Sequence, residues 1–105
     1  MTKVTLFHDA QGRISGFQCK GHAGYAEAGS DIVCAAVSAL AITCANALES
    51  VAGVTPETQE KDGVLTVRLQ PQHVTHDAQV ILRTFKQGIS DIAASYPKHI
   101  LFTDR

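Results

Sequence analysis

Tryptophan is absent from this chain of 105 residues, and four Phe and two Tyr are its whole aromatic complement. The core therefore falls to aliphatic and small side chains. Neither charge is in excess, with nine Lys and Arg against ten Asp and Glu. No basic stripe runs along the sequence, and a nucleic-acid binder needs one to neutralise phosphates, so direct contact with nucleic acid is not expected. Cysteine is scarce: three residues, an odd number without framework spacing. That excludes a disulfide scaffold and points to reduced thiols in the cytoplasm. Met1 leads straight into the alternating stretch Lys3-Val4-Thr5-Leu6-Phe7, with no basic segment followed by a long apolar run, so no signal peptide is expected. The most apolar segment, 32–48, is interrupted by Ser38, Thr43 and Asn46. It falls short of the roughly 20 residues a spanning helix needs, so a soluble protein with no membrane partner is expected. Repeats, linkers and low-complexity tracts are lacking too.

What is present fits one domain over 1–105. A chain this long buries roughly 60–70% of its unfolded surface, enough to fold without metal or disulfide support. Alternation predicts strands over 3–8 and 13–20, joined by the turn Asp9-Ala10-Gln11-Gly12. In the second strand the apolar positions change parity between Ile14 and Phe17. An extra residue is needed there, and Gly16 is the expected site of the bulge. Residues 21–30 hold three glycines and no clean period, which reads as a mobile loop. Asp31 then predicts an N-cap, with a helix from Ile32 to about Ala52 and Gly53 at its C-terminal cap. That helix is apolar nearly all round, so it is expected at the centre of the domain or at an oligomer interface. A hairpin over 57–61 and 64–69 turns at Asp62-Gly63. A second helix runs from about Thr75 to Ser95, with an apolar stripe through Ala78, Ile81, Leu82, Phe85, Ile89, Ile92 and Tyr96. Pro97 ends it, and Ile100-Leu101-Phe102 makes a last strand. The order ββαββαβ predicts an α+β fold: a mostly antiparallel sheet packed with two helices, the first central and apolar.

Chemistry concentrates between Gly21 and Ser38. With Asp31 as the cap, Cys34 is the third helical residue, where unpaired amides and the helix dipole favour a thiolate and could hold an oxyanion. The bland reading is a small apolar filler in an Ala-rich helix, which is the reading given to Cys19 and Cys44. His22 stands at the head of the glycine loop, twelve residues before Cys34, and is the candidate base. His8, His73, His76 and His99 lie at strand or helix ends, where an exposed His needs no function. Asp31 either caps the helix or orients the imidazole. Ser38, one turn after Cys34, either bonds to a carbonyl a turn back or contacts the site. A zinc reading from Cys19-x-x-His22 with Cys34 lacks a second Cys or His pair and is set aside, so no metal and no cofactor are expected.

Gly21-His22-Ala23-Gly24-Tyr25-Ala26, followed by Asp31-Ile32-Val33-Cys34-Ala35-Ala36-Val37-Ser38, resembles the ribosomal-processing cysteine protease family, Prp. The resemblance implies a cytosolic endopeptidase of Gram-positive and related bacteria. Its substrate there is the precursor of a large-subunit ribosomal protein, the twenty-seventh in the usual count. The enzyme removes that precursor's N-terminal extension so that the ribosome can assemble. Carried onto this chain, the nucleophile falls on Cys34 and the base on His22. Asp31 and Ser38 match motif positions of less settled role. Gly21, Gly24, Tyr25 and Gly29 fall in the substrate loop, though no separate role passes to its tip, Glu27-Ala28-Gly29-Ser30. The family also implies a homodimer. The alternative is a non-catalytic ribosome-assembly or tail-binding module that grips a peptide with loop 21–30 and has no need of a thiolate.

Overall fold

A computed structural model describes residues 1–21 and 28–104, with the backbone alone at 28–31. Strands β1 (Thr2–His8) and β2 (Ile14–Lys20) pair antiparallel. The turn between them is closed by Asp9, whose carboxylate accepts the amides of Gln11 and Arg13 and the Arg13 guanidinium at 2.8–2.9 Å. Period-two alternation sends Thr2, Val4 and Leu6 into the core. It sends Lys3, Thr5 and Phe7 to the other face, where the Arg68 guanidinium lies 3.9 Å from the Phe7 ring centroid.

The parity change in β2 is accommodated by a bulge. Phe7 pairs with Gly16 but His8 pairs with Ile14, which leaves Ser15 as the extra residue. The bulge therefore falls one residue before Gly16, its expected site. Gly16 answers a different need, since a Cβ there would collide with the Val67 carbonyl oxygen of the neighbouring strand. The Gln79 side-chain amide completes the bulge, accepting the Ile14 N–H at 2.9 Å and donating to the Ile14 carbonyl.

β3 (Glu57–Lys61) and β4 (Val64–Arg68) form the second hairpin. Its turn residues Asp62 and Gly63 have φ of 54° and 77°, the positive values a two-residue turn of this twist requires. β5 (Ile100–Asp104) adds in parallel beside β1. The sheet order is β3-β4-β2-β1-β5, mixed but mostly antiparallel, as expected.

Helix α2 (His76–Ser95) starts where Thr75 caps it, the threonine hydroxyl accepting the Ala78 amide at 3.3 Å. Ala78, Leu82, Phe85 and Ile89 are buried, and Phe85 stacks on Phe17 with centroids 4.1 Å apart. Ile81 and Ile92 pack at the margin of this core, while Tyr96 reaches solvent. Removing the Phe85 ring would cost about 3–5 kcal/mol.

Helix α1 spans Ala28–Ser50, beginning four residues before the expected Ile32. Residues 28–30, assigned from sequence to the glycine loop, are helical. Asp31 lies inside the helix and is not its N-cap, so the capping role is overturned. At the other end Gly53, with φ of 69°, turns the chain so that the Val54 amide donates back to the Leu48 carbonyl at 3.0 Å. One stripe of α1 (Val33, Val37, Ala41, Cys44 and Leu48) is buried against the sheet and α2. The helices approach closely at Gly88, where a Cβ would stand 2.5 Å from Leu40 Cδ2. The opposite face of α1 is apolar yet bare, with Ile32 and Ile42 each more than half exposed. By length and composition Ile32–Ser50 suffices to cross a membrane, with a mean hydropathy of 1.8 over its apolar window. The count that judged the segment too short is thus corrected. The same helix nevertheless supplies five side chains to the protein core.

Candidate active site

A thiol's reactivity depends on access and on how readily it ionises. Cys19, on β2, faces the core, and burial pushes its thiol up to about 12. Burial raises Cys44 as well. Both behave as the filler they were read to be. Cys34 alone among the three thiols is not buried.

Because α1 begins at Ala28, Cys34 is its seventh residue rather than its third. The dipole and the unpaired amides act within the first turn, so the helix start does not cradle this thiol as expected. The end of β2 holds it instead. A Cβ built on Gly21 would stand 3.2 Å from Cys34 Sγ, so the bare Gly21 backbone lies directly against the sulfur. Gly21 is itself fixed by the second hairpin, its N–H donating to the Gly63 carbonyl at 3.3 Å. Strand β2, the β3–β4 turn and α1 therefore meet at Cys34.

Between them runs a groove of about 240 Å³. Cys34, Val37, Ser38, Ala41 and Ile42 form its helical wall, and Cys19, Gly21, Glu60, Gly63 and Leu65 line the sheet side. Strand register explains the second wall, since Cys19, Leu65 and Glu60 stand side by side across β2, β4 and β3. The volume lies below the ~300–1,000 Å³ of a cofactor or drug pocket and suits one or two peptide side chains. Ser38 lines the groove and its hydroxyl makes no hydrogen bond to any described residue, so the back-bonded alternative is not what the structure shows.

The structure thus brings Cys34, Ser38 and Gly21 together. His22, Gly24 and Tyr25 lie outside the described residues. Gly29 and Asp31 sit in the first turns of α1, where only the backbone is described. None of His8, His73, His76 and His99 lines the groove, and His8 pairs with Asp104 at 3.3 Å. Of the zinc reading, Cys19 and Cys34 do share the groove, while His22 lies outside the described residues. No group of three possible metal ligands occurs among the described residues. Glu60 and Gly63 went unread as site residues. Asp62-Gly63 was visible only as a turn, and Glu60 needs the register of three strands before it faces α1.

An accessible thiol beside a groove of peptide dimensions is the arrangement of a cysteine hydrolase. The model of the family Cysteine protease Prp matches residues 1–101, and the chain belongs to that family of cysteine proteases. Staphylococcus aureus ribosomal processing cysteine protease Prp is 28% identical over 101 residues, covering 95% of each chain. Among solved structures, the S. aureus Prp complex with a substrate peptide superposes with a TM-score of 0.91 at 26% identity over the whole of both chains. The S. aureus complex with a covalently linked product peptide gives 0.86 at 27%, again over both whole chains. A protein of Streptococcus mutans gives 0.87 at 32%, covering 99% of this chain and 93% of the other.

Proposed function

We propose that this protease removes the N-terminal extension of a large-subunit ribosomal protein, the twenty-seventh in the usual count, during ribosome assembly in the cytoplasm. The observation that carries the reading is the Cys34 sulfur seated against Gly21 at the mouth of a peptide-sized groove. Cys34 Sγ attacks the scissile carbonyl carbon, and the carbonyl π electrons move to oxygen. His22, the next residue after Gly21, takes the thiol proton and returns it to the leaving amine as the C–N bond breaks. A thioester to Cys34 remains. Water, deprotonated by the same imidazole, attacks it and releases the acid and the thiol. The family resemblance and the S. aureus complex with a covalently linked product peptide both support this route.

The oxyanion needs donors, and the start of α1 is too far along the helix to supply them. The Gly21 amide is committed to Gly63. The uncommitted hydroxyl of Ser38, one helical turn from Cys34, is the donor the groove offers. Asp31, freed of its capping role, is assigned to orienting the imidazole. The bare apolar face around Ile32 and Ile42 supports a homodimer through α1. Incubating the protein with the host's precursor ribosomal protein, followed by mass analysis, tests the reading. A single cut that leaves the shortened protein supports it, and an intact precursor after prolonged incubation refutes it.

A further inference from the structure

Glu60 is the one charged side chain among the described residues that line the groove. Alternation along the strands separates it from the nearby lysines. Lys61 follows it on β3 and so faces the other side of the sheet, and Lys20 lines a depression on that open face with Lys3 and Arg68. The register sets Glu60 beside Leu65 and Cys19 on the α1 side. Its carboxylate makes no hydrogen bond or ion pair with any described residue, whereas Glu57 on the same strand binds the Gln70 amide. The other described side chains of the groove are apolar, hydroxyl or thiol groups, so none of them offsets the negative potential.

We infer that Glu60 selects a peptide carrying a Lys or Arg side chain near the scissile bond, its carboxylate pairing with that cation when the peptide occupies the groove. The inference rests on the proteolytic reading above, and it names the substrate feature that the groove recognises. Glu60 acts on binding and takes no part in making or breaking bonds. All of β3 is exposed, so substitutions at this position leave the core untouched.

The test compares wild type with Glu60→Gln and Glu60→Lys on the N-terminal peptide of the host precursor. Variants of that peptide carry Lys, Gln or Glu at each of the three positions on either side of the cut and compete in one low-salt reaction read by mass. At one position wild type should favour Lys over Gln by about 2–5-fold, the strength of a solvent-screened ion pair. Glu60→Gln should remove that preference, and Glu60→Lys should turn it toward Glu. The same ranking in all three proteins overturns the inference, as does a uniform loss of cleavage with the ranking unchanged.

A second measurement needs no proteolysis. Peptide mapping gives the rate at which Cys34 is modified by a cationic trimethylammonium methanethiosulfonate and by an anionic sulfonate analogue. The cation-to-anion rate ratio should fall by about 2–5-fold in Glu60→Gln and further in Glu60→Lys. An unchanged ratio overturns the inference. If no peptide is cut while the ratio shifts as expected, the proteolytic reading fails and the cation selectivity of the groove stands.

Discussion

Gly21→Ala isolates the contact that seats the thiol. The added methyl would stand 3.2 Å from Cys34 Sγ, whereas comfortable non-bonded contacts between heavy atoms lie near ~3.5–4.0 Å. The sulfur must retreat by roughly 0.3–0.8 Å or leave its rotamer, at a cost on the order of 1 kcal/mol. Gly21 is not among the glycines with positive φ, so alanine adds no backbone strain. Removing glycine also restricts the unfolded chain, a gain of about 0.4–1 kcal/mol that offsets most of the contact cost. The melting temperature should therefore barely move. Catalysis should suffer, because a displacement of 1 Å at a reacting atom costs about 10²-fold, and half of that distance on the order of 10-fold. The assay is kcat/KM on the precursor peptide beside thermal unfolding. Gly12→Ala is the control with the reverse signature. Gly12 has φ of 80° and nothing within 4 Å of a Cβ, so alanine there should cost about 1–2 kcal/mol of stability and leave cleavage intact. Wild-type kcat/KM in a stably folded Gly21→Ala protein would refute the idea that this backbone positions the nucleophile.

His22→Ala should lower turnover by at least ~100-fold, and equal losses from His73→Ala or His76→Ala would show that the base has been misassigned. Ser38→Ala should lower kcat on the order of 10²-fold with little change in KM; a rise in KM alone would make the hydroxyl a substrate contact rather than an oxyanion donor. The Cys19 thiol is raised from 9.0 to about 12 by burial, so the folded state holds its proton over a range in which the unfolded chain releases it. Stability should therefore fall from about pH 9 toward pH 12, by up to about 4 kcal/mol from this group. Chemical denaturation of wild type and Cys19→Ala across that range measures it, and identical slopes in the two proteins would contradict the account.

The elements most legible in sequence are those whose signals are local. Asp62-Gly63 specifies its turn because both residues tolerate positive φ, and the α2 stripe from Ala78 to Ile92 follows directly from 3.6-residue periodicity. The bulge was visible as a parity change, but whether Ser15 or Gly16 carries it depends on pairing with β1. The start of α1 was hidden because Gly29 and Ser30 are poor helix formers taken singly, and helix propagation overrides such propensities. That error moved Asp31 from cap to helix interior and Cys34 from the first turn to the second. Cys34 and Ser38 were legible as a pair because one helical turn separates them. Glu60 was not, since its place in the groove depends on the pairing of β4 with β2, far apart in sequence, as well as on its own hairpin.

The claim on which the rest depends is that Cys34 forms the acyl intermediate. Mixing the protein with precursor peptide, quenching in acid at early times and mapping the modified residue by mass reads it directly. A thioester on Cys34 that appears and decays as the product forms, with adduct and cut both lost in a folded Cys34→Ala protein, is the result the account predicts. An adduct on another residue, or cleavage of the same bond by Cys34→Ala, would contradict it.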